Sequence, residues 1–190
     1  METMRPARAR ARSLPPAWAA LVFVLSLSAC EPTNQGYAPE QPVKYSHAVH
    51  AGGLRIPCQY CHYAAERGRH AGIPPAATCM NCHKQVLPDH PEIQKIKASL
   101  ESGRPIEWLR IHQLPDHAYF DHRAHVRAGI ACQACHGPVE QMGRVEQFAP
   151  LSMGWCIACH RHGSDRSGTP LSSVPAAQAN RLTDCGVCHH

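Results

Sequence analysis

A mainly α-helical chain with extensive irregular loops and little or no β-sheet is predicted by three observations. The pentapeptide Cys-x-x-Cys-His occurs five times in 190 residues. No segment sustains the apolar and polar alternation of a half-buried strand. Pro and Gly, 17 and 13 residues, interrupt the pattern every few positions, so helices should be short and centred on the motifs.

The five copies are Cys58-Gln59-Tyr60-Cys61-His62, Cys79-Met80-Asn81-Cys82-His83, Cys132-Gln133-Ala134-Cys135-His136, Cys156-Ile157-Ala158-Cys159-His160 and Cys185-Gly186-Val187-Cys188-His189. In a motif of this kind the two thiols add to the vinyl groups of a haem, and the adjacent His becomes the proximal iron ligand. Five haem c groups are therefore expected, with His62, His83, His136, His160 and His189 as proximal ligands. Three other readings compete. A thioredoxin-like redox pair would occur once, within a βαβ pattern. A zinc ribbon would use two Cys pairs without a His after each. A disulfide scaffold would show varied spacings.

Ten of the eleven cysteines lie in these motifs, leaving Cys30. It follows Arg5, Arg8, Arg10, Arg12 and an apolar run from Ala17 to Leu27, the form of a secretory signal. Leu27-Ser28-Ala29-Cys30 resembles a bacterial lipobox, so residues 1–29 are expected to be removed and Cys30 lipidated. Cleavage elsewhere, or retention as a short anchor, are the alternatives. Residues 30–42, rich in Pro, Asn, Gln and Gly, read as a flexible tether to a haem domain over 43–190. The expected location is the periplasmic side of a bacterial membrane, held by lipid.

Loss of residues 1–29 leaves 161, about 32 per haem, and the whole chain has only eleven Phe, Trp and Tyr. The haems must then supply much of the apolar interior, and the chain without them should be largely unfolded. The formal charge of +5 falls to +2, because Arg5, Arg8, Arg10, Arg12 and Glu2 leave with the signal. Haem propionates and iron take it to about −3 when oxidised and about −8 when reduced. A basic footprint for nucleic acid is absent.

An internal repeat organises the rest. Tyr45-Ser46-His47-Ala48-Val49-His50, then seven residues, precedes the first two motifs; Phe120-Asp121-His122-Arg123-Ala124-His125, then six, precedes the third and fourth. These define modules at 43–83 and 118–160. Between them, His90-Pro91-Glu92, apolar Ile93, Ile96 and Leu100, and a closing Gly103 predict a linker helix over about 91–102. The fifth motif, 185–189, should lie at an extremity of the haem array.

Six-coordinate iron needs a second ligand, and ten histidines lie outside the motifs. In His-x-x-His the rings sit on neighbouring helical positions but point differently, so each can serve a different haem. His47, His50, His122 and His125 are expected as distal ligands. For the fifth haem His112 is the first choice, beside Trp108 and Pro115, with His70, Met153 and Met142 as alternates; Met would raise the potential. His90, His117, His162 and His190 read as solvent-facing or loop-capping. No catalytic carboxylate pair, nucleophile elbow or phosphate loop accompanies the haems.

His70-Ala71-Gly72, Pro74-Pro75, Thr78 to His83, Trp108 to Asp116, Phe120-Asp121-His122 and Leu151 to Cys156 together resemble the pentahaem cytochrome subunit of alternative complex III. The paired aromatic-x-His-x-x-His units are similar to the cytochrome c3/c7 superfamily. The resemblance runs from about Val43 to His190. It implies a compact multihaem cytochrome c of c3/c7-like modules, bis-His ligation, and an electron-transfer rather than catalytic role. The implied partners are integral membrane and iron–sulfur subunits of a quinol-oxidising complex, with a monohaem cytochrome c or terminal oxidase as acceptor. That subunit is commonly held by a transmembrane helix, from which the lipobox departs. A free periplasmic carrier, a cytochrome partner of a molybdenum oxidoreductase, and a multihaem reductase are the other readings.

Overall fold

The computed structural model describes residues 33–162 and 183–190, all within one compact unit that begins at Thr33. Among the described residues there is no strand. A π-helical turn at Ala48–Gly53 is followed by α1 (Cys58–Cys61), a 3₁₀ turn at Tyr63–Glu66 and α2 (Ala76–His83). The linker helix α3 (Pro91–Ser102) leads to α4 (His122–Arg127), α5 (Gln133–His136), a 3₁₀ turn at Val139–Gln141, α6 (Met153–His162) and the C-terminal α7 (Cys185–Cys188). Every motif thus lies in a short helix, or begins one.

Helix α3 starts because Pro91 suits the first turn and the His90 side chain accepts from Glu92 N–H; it stops at Gly103, whose φ of 68° is left-handed. Its Ile93 and Ile96 are buried with Val43, and Ala76, Cys79, Met80, Ile106 and Trp108 pack around them. This cluster joins the linker helix to the second motif.

Residues expected as a tether lie along the body. The backbone N–H of Lys44 donates to Glu92 Oε2 at 2.8 Å, Lys95 Nζ to the Pro42 carbonyl at 3.0 Å, and Gln41 exchanges two bonds with the Leu109 backbone. Further up, the fully buried Gln147 acts as a hub. Its side-chain oxygen accepts from Gln113 N–H and Asn34 Nδ2, its amide donates to the Ala149 carbonyl, and its backbone bonds Gly36 and Tyr37. Asn34 Nδ2 also donates to the Ile111 carbonyl. Polar side chains and free backbone groups, rather than apolar content, hold this segment down, which composition does not reveal.

The two modules hold each other reciprocally. Ala48, directly after His47, donates its N–H to the Met142 carbonyl six residues past His136; Arg123, directly after His122, donates to the Gly68 carbonyl six residues past His62. Accordingly the π turn packs on the 3₁₀ turn 139–141, and α4 packs on the 3₁₀ turn 63–66. At the first of these interfaces a Cβ on Gly52 would overlap the Glu140 carbonyl oxygen, so only Gly permits the approach.

Candidate haem sites

The spacing of imidazoles tests whether these residues fit haem. Two metal–imidazole bonds of about 2 Å, with roughly 1.1 Å from each nitrogen to its ring centre, place paired ring centres about 6.2 Å apart. His47 faces His62 at 6.4 Å, His50 faces His83 at 6.1 Å, His122 faces His136 at 6.3 Å and His125 faces His160 at 6.0 Å. Such separations are too wide for ring-on-ring contact and suit one atom held between two nitrogens. Two of the pairs, His47 with His62 and His122 with His136, have ring planes within 7°.

The second nitrogen of each ring decides which one is free for iron. Nδ1 of His62 donates to the Gly72 carbonyl at 2.7 Å, that of His83 to Val86, of His50 to Ser46, of His122 to Arg69, of His125 to Asp121 and of His189 to His117. A proton fixed on Nδ1 leaves the Nε2 lone pair available, the outer-shell arrangement of metal-bound His. His136 differs: its Nδ1 meets Nε2 of His112 at 3.1 Å. His47 differs again, with Nδ1 buried and unpartnered.

Aromatic residues fix the ligand turns. Tyr45 lies edge-on to His47 (4.8 Å) and nearly parallel to His50 (4.3 Å); Phe120 treats His122 and His125 in the same way, at 4.8 and 4.4 Å. The aromatic-x-His-x-x-His pattern therefore closes on itself, one ring clamping two imidazoles. Burial holds His47, His125 and His136 below the usual imidazole range. It is the leading cause that lowers His47 to about 4 and His136 to about 3, ahead of their neighbouring imidazoles. It likewise raises the Cys135 thiol to about 11 and the Tyr45 hydroxyl to about 12.

All ten motif cysteines are free thiols. Among the described residues no group of three or more His, Cys, Asp or Glu converges as a metal ion would require. Paired thiols beside a facing pair of imidazoles fit haem c. When bound, haem supplies one-electron chemistry at its iron. The chain's own part is to hold Nε2 of each ring in place, through the Nδ1 hydrogen bonds and the clamping aromatic rings.

The fifth motif is arranged differently from the other four. The ring facing His189 is His117, at 5.5 Å and 27°, shorter than the other pairs. His112 is instead committed to His136, its ring edge-on at 4.4 Å, because the Gln147 hub fixes the loop 111–113 there. His70 is exposed, Met153 is 67% exposed and Met142 serves through its carbonyl. His90 caps α3, and His190 stacks on Tyr119 at 4.2 Å. His162 ends α6, while Cys30 lies outside the described residues. No pattern marked His117, which meets His189 across 72 positions of sequence.

Comparison with known proteins identifies the family. The family model described as cytochrome c7 and related cytochrome c matches residues 118–190. The chain is also 31% identical over 156 residues to the protein named menaquinone reductase, multiheme cytochrome c subunit, of Nitratidesulfovibrio vulgaris (Hildenborough), covering 79% of this chain and 68% of that protein. The chain belongs to the multihaem cytochromes c, and its segment 118–190 is similar to cytochrome c7. It is an electron-transfer protein, not itself a catalytic subunit.

Proposed function

We propose that this cytochrome carries five haem c groups and passes electrons between a membrane quinone-linked complex and other carriers, in the quinol-oxidising sense of alternative complex III. The observation that carries the reading is the set of four imidazole pairs at 6.0–6.4 Å, two served from one helical turn in each module. Irons with two imidazoles leave no coordination position for a substrate, which favours conduction over reduction of a small molecule. The distal ligands in this reading are His47, His50, His122 and His125, with His117 in place of His112 for the fifth haem. Lipid on Cys30 holds the protein at the periplasmic face of the membrane, where two or more acyl chains give stable attachment. Integral membrane and iron–sulfur subunits are its partners, and a monohaem cytochrome c or a terminal oxidase takes the electrons.

A second reading reverses the flow, because the relative from Nitratidesulfovibrio vulgaris is named a menaquinone reductase. The experiment is purification of the complex from membranes through a tag on this chain. Co-purifying integral membrane subunits, five haem additions in the mass spectrum of this chain and haem reduction by added menaquinol are expected. Haem oxidation by menaquinone from a pre-reduced complex, without reduction by menaquinol, would support the reversed flow. Four haems or fewer, or isolation without membrane subunits, would reject the proposal, as would stoichiometric carbon monoxide binding with rapid nitrite turnover. Cys30→Ser is expected to abolish labelling by a fatty-acid probe.

A further inference from the structure

The order of the motifs along the chain is not their order in space. His47 and His50 share one turn, yet face His62 and His83 respectively, so the first and second sites are neighbours. The Cys61 thiol lies close enough to Cys79 and Cys82 to feel their charge. By the same construction His122 and His125, on α4, make the third and fourth sites neighbours, and Cys135 lies near Cys156 and Cys159.

The modules meet through their first-attached sites. The Cys132 thiol lies near Cys58. His136 lies near both His62 and His47. The reciprocal bonds from Ala48 to Met142 and from Arg123 to Gly68 bring the segments just past His136 and His62 across to the opposite module's ligand turn. The fifth site sits against the second module: Tyr119 N–H donates to the Cys188 carbonyl at 2.8 Å, and Cys156 of the fourth motif is near Cys188.

We infer that the five sites form one unbranched file in the order second, first, third, fourth, fifth motif, with the second and fifth at its two ends. The first, third and fourth motifs are interior to the file, each with two neighbours in the same chain. This rests on the reading that all five motifs carry haem between the ring pairs described above.

The test is two-dimensional nuclear magnetic resonance of the fully reduced, diamagnetic full-length holoprotein, in which cross-relaxation between haem substituents reports which haems adjoin. Cross-peaks are expected for second with first, first with third, third with fourth and fourth with fifth. A cross-peak from the second haem to any but the first, or from the fifth to any but the fourth, would overturn the order, as would absence of a first-to-third contact. His50→Met marks the second haem independently: reducing it selectively should shift the paramagnetic resonance of one neighbour, whereas His122→Met in the third should shift two. Two shifted neighbours for the second haem would likewise overturn it. The measurements use the isolated cytochrome, so the order can fail while association with a membrane complex stands. A mass spectrum with fewer than five haems would instead defeat the functional reading itself.

Discussion

His112 does for His136 what a backbone carbonyl does for His62, His83 and His189. A neutral imidazole nitrogen is a stronger acceptor than a peptide oxygen, so the Nδ1 proton of His136 is drawn away and the ring becomes a better donor to ferric iron. His112→Phe keeps the ring but removes the acceptor, and the third-motif haem should rise in potential by about 40 mV for each 1 kcal/mol of hydrogen bond lost. Spectroelectrochemical titration checks this; an unchanged potential would show that the contact has no electronic role. At this scale the sequence was most legible where chemistry is local. Tyr45, His47 and His50 lie within one turn, as do Phe120, His122 and His125, so spacing alone exposed them. The neighbours of His112 and His117 could not be read from spacing because they come from remote segments, brought there by Gln147 and by the C-terminal motif.

The two ligand turns show how one extra residue is absorbed. Seven residues separate His50 from Cys58, but six separate His125 from Cys132. The longer module forms a π turn, with Leu54 N–H reaching the Val49 carbonyl and Ile56 N–H the His50 carbonyl, where the shorter one forms α4 and Ile130 N–H reaches His125. A π turn is an α-helix with one residue inserted, and it keeps the imidazoles in register despite the insertion. The repeat was readable as a pattern, but its accommodation was not, since it depends on what the turn packs against. Gly52→Ala should therefore destabilise the protein by about 1–3 kcal/mol, as its Cβ meets the Glu140 carbonyl. Gly53→Ala, with only the Ala48 carbonyl at 3.8 Å, should fall within about 0.5 kcal/mol of the parent. Denaturant midpoints of the two holoproteins separate these outcomes, and equal midpoints would contradict the packing argument. By contrast α3 was legible from both ends, through Pro91 and Gly103, with Ile93 and Ile96 marking its inner face.

Over the whole molecule the side-chain interior is small. Among the described residues the buried apolar side chains are Val43, Ala65, Ile93, Ile96 and Ala149, whereas Leu54, Leu87 and Ile73 are more than half exposed on the polypeptide. Full burial of one large aliphatic side chain contributes about 1.5–3 kcal/mol, and ordering each residue costs about 1–2 kcal/mol, so three such residues cannot hold a chain of this length. Protein made without haem attachment should show little helical circular dichroism and rapid proteolysis; a helical, protease-resistant form lacking haem would contradict this. The composition had already announced that deficit, whereas the way the halves join could not be read from it. Because Ala48 reaches Met142 as Arg123 reaches Gly68, the same surface is used twice, each half supplying what the other lacks. That is the contact pattern of an isologous homodimer, drawn within a single polypeptide. A half-length chain carrying only the first two motifs would thus expose a self-complementary face. The two halves are nevertheless not equal: His122 bonds the Arg69 carbonyl, while its counterpart His47 keeps a buried nitrogen without a partner. Equal partners in a true dimer would have to share that difference; a single polypeptide can hold the first and third sites in unlike surroundings.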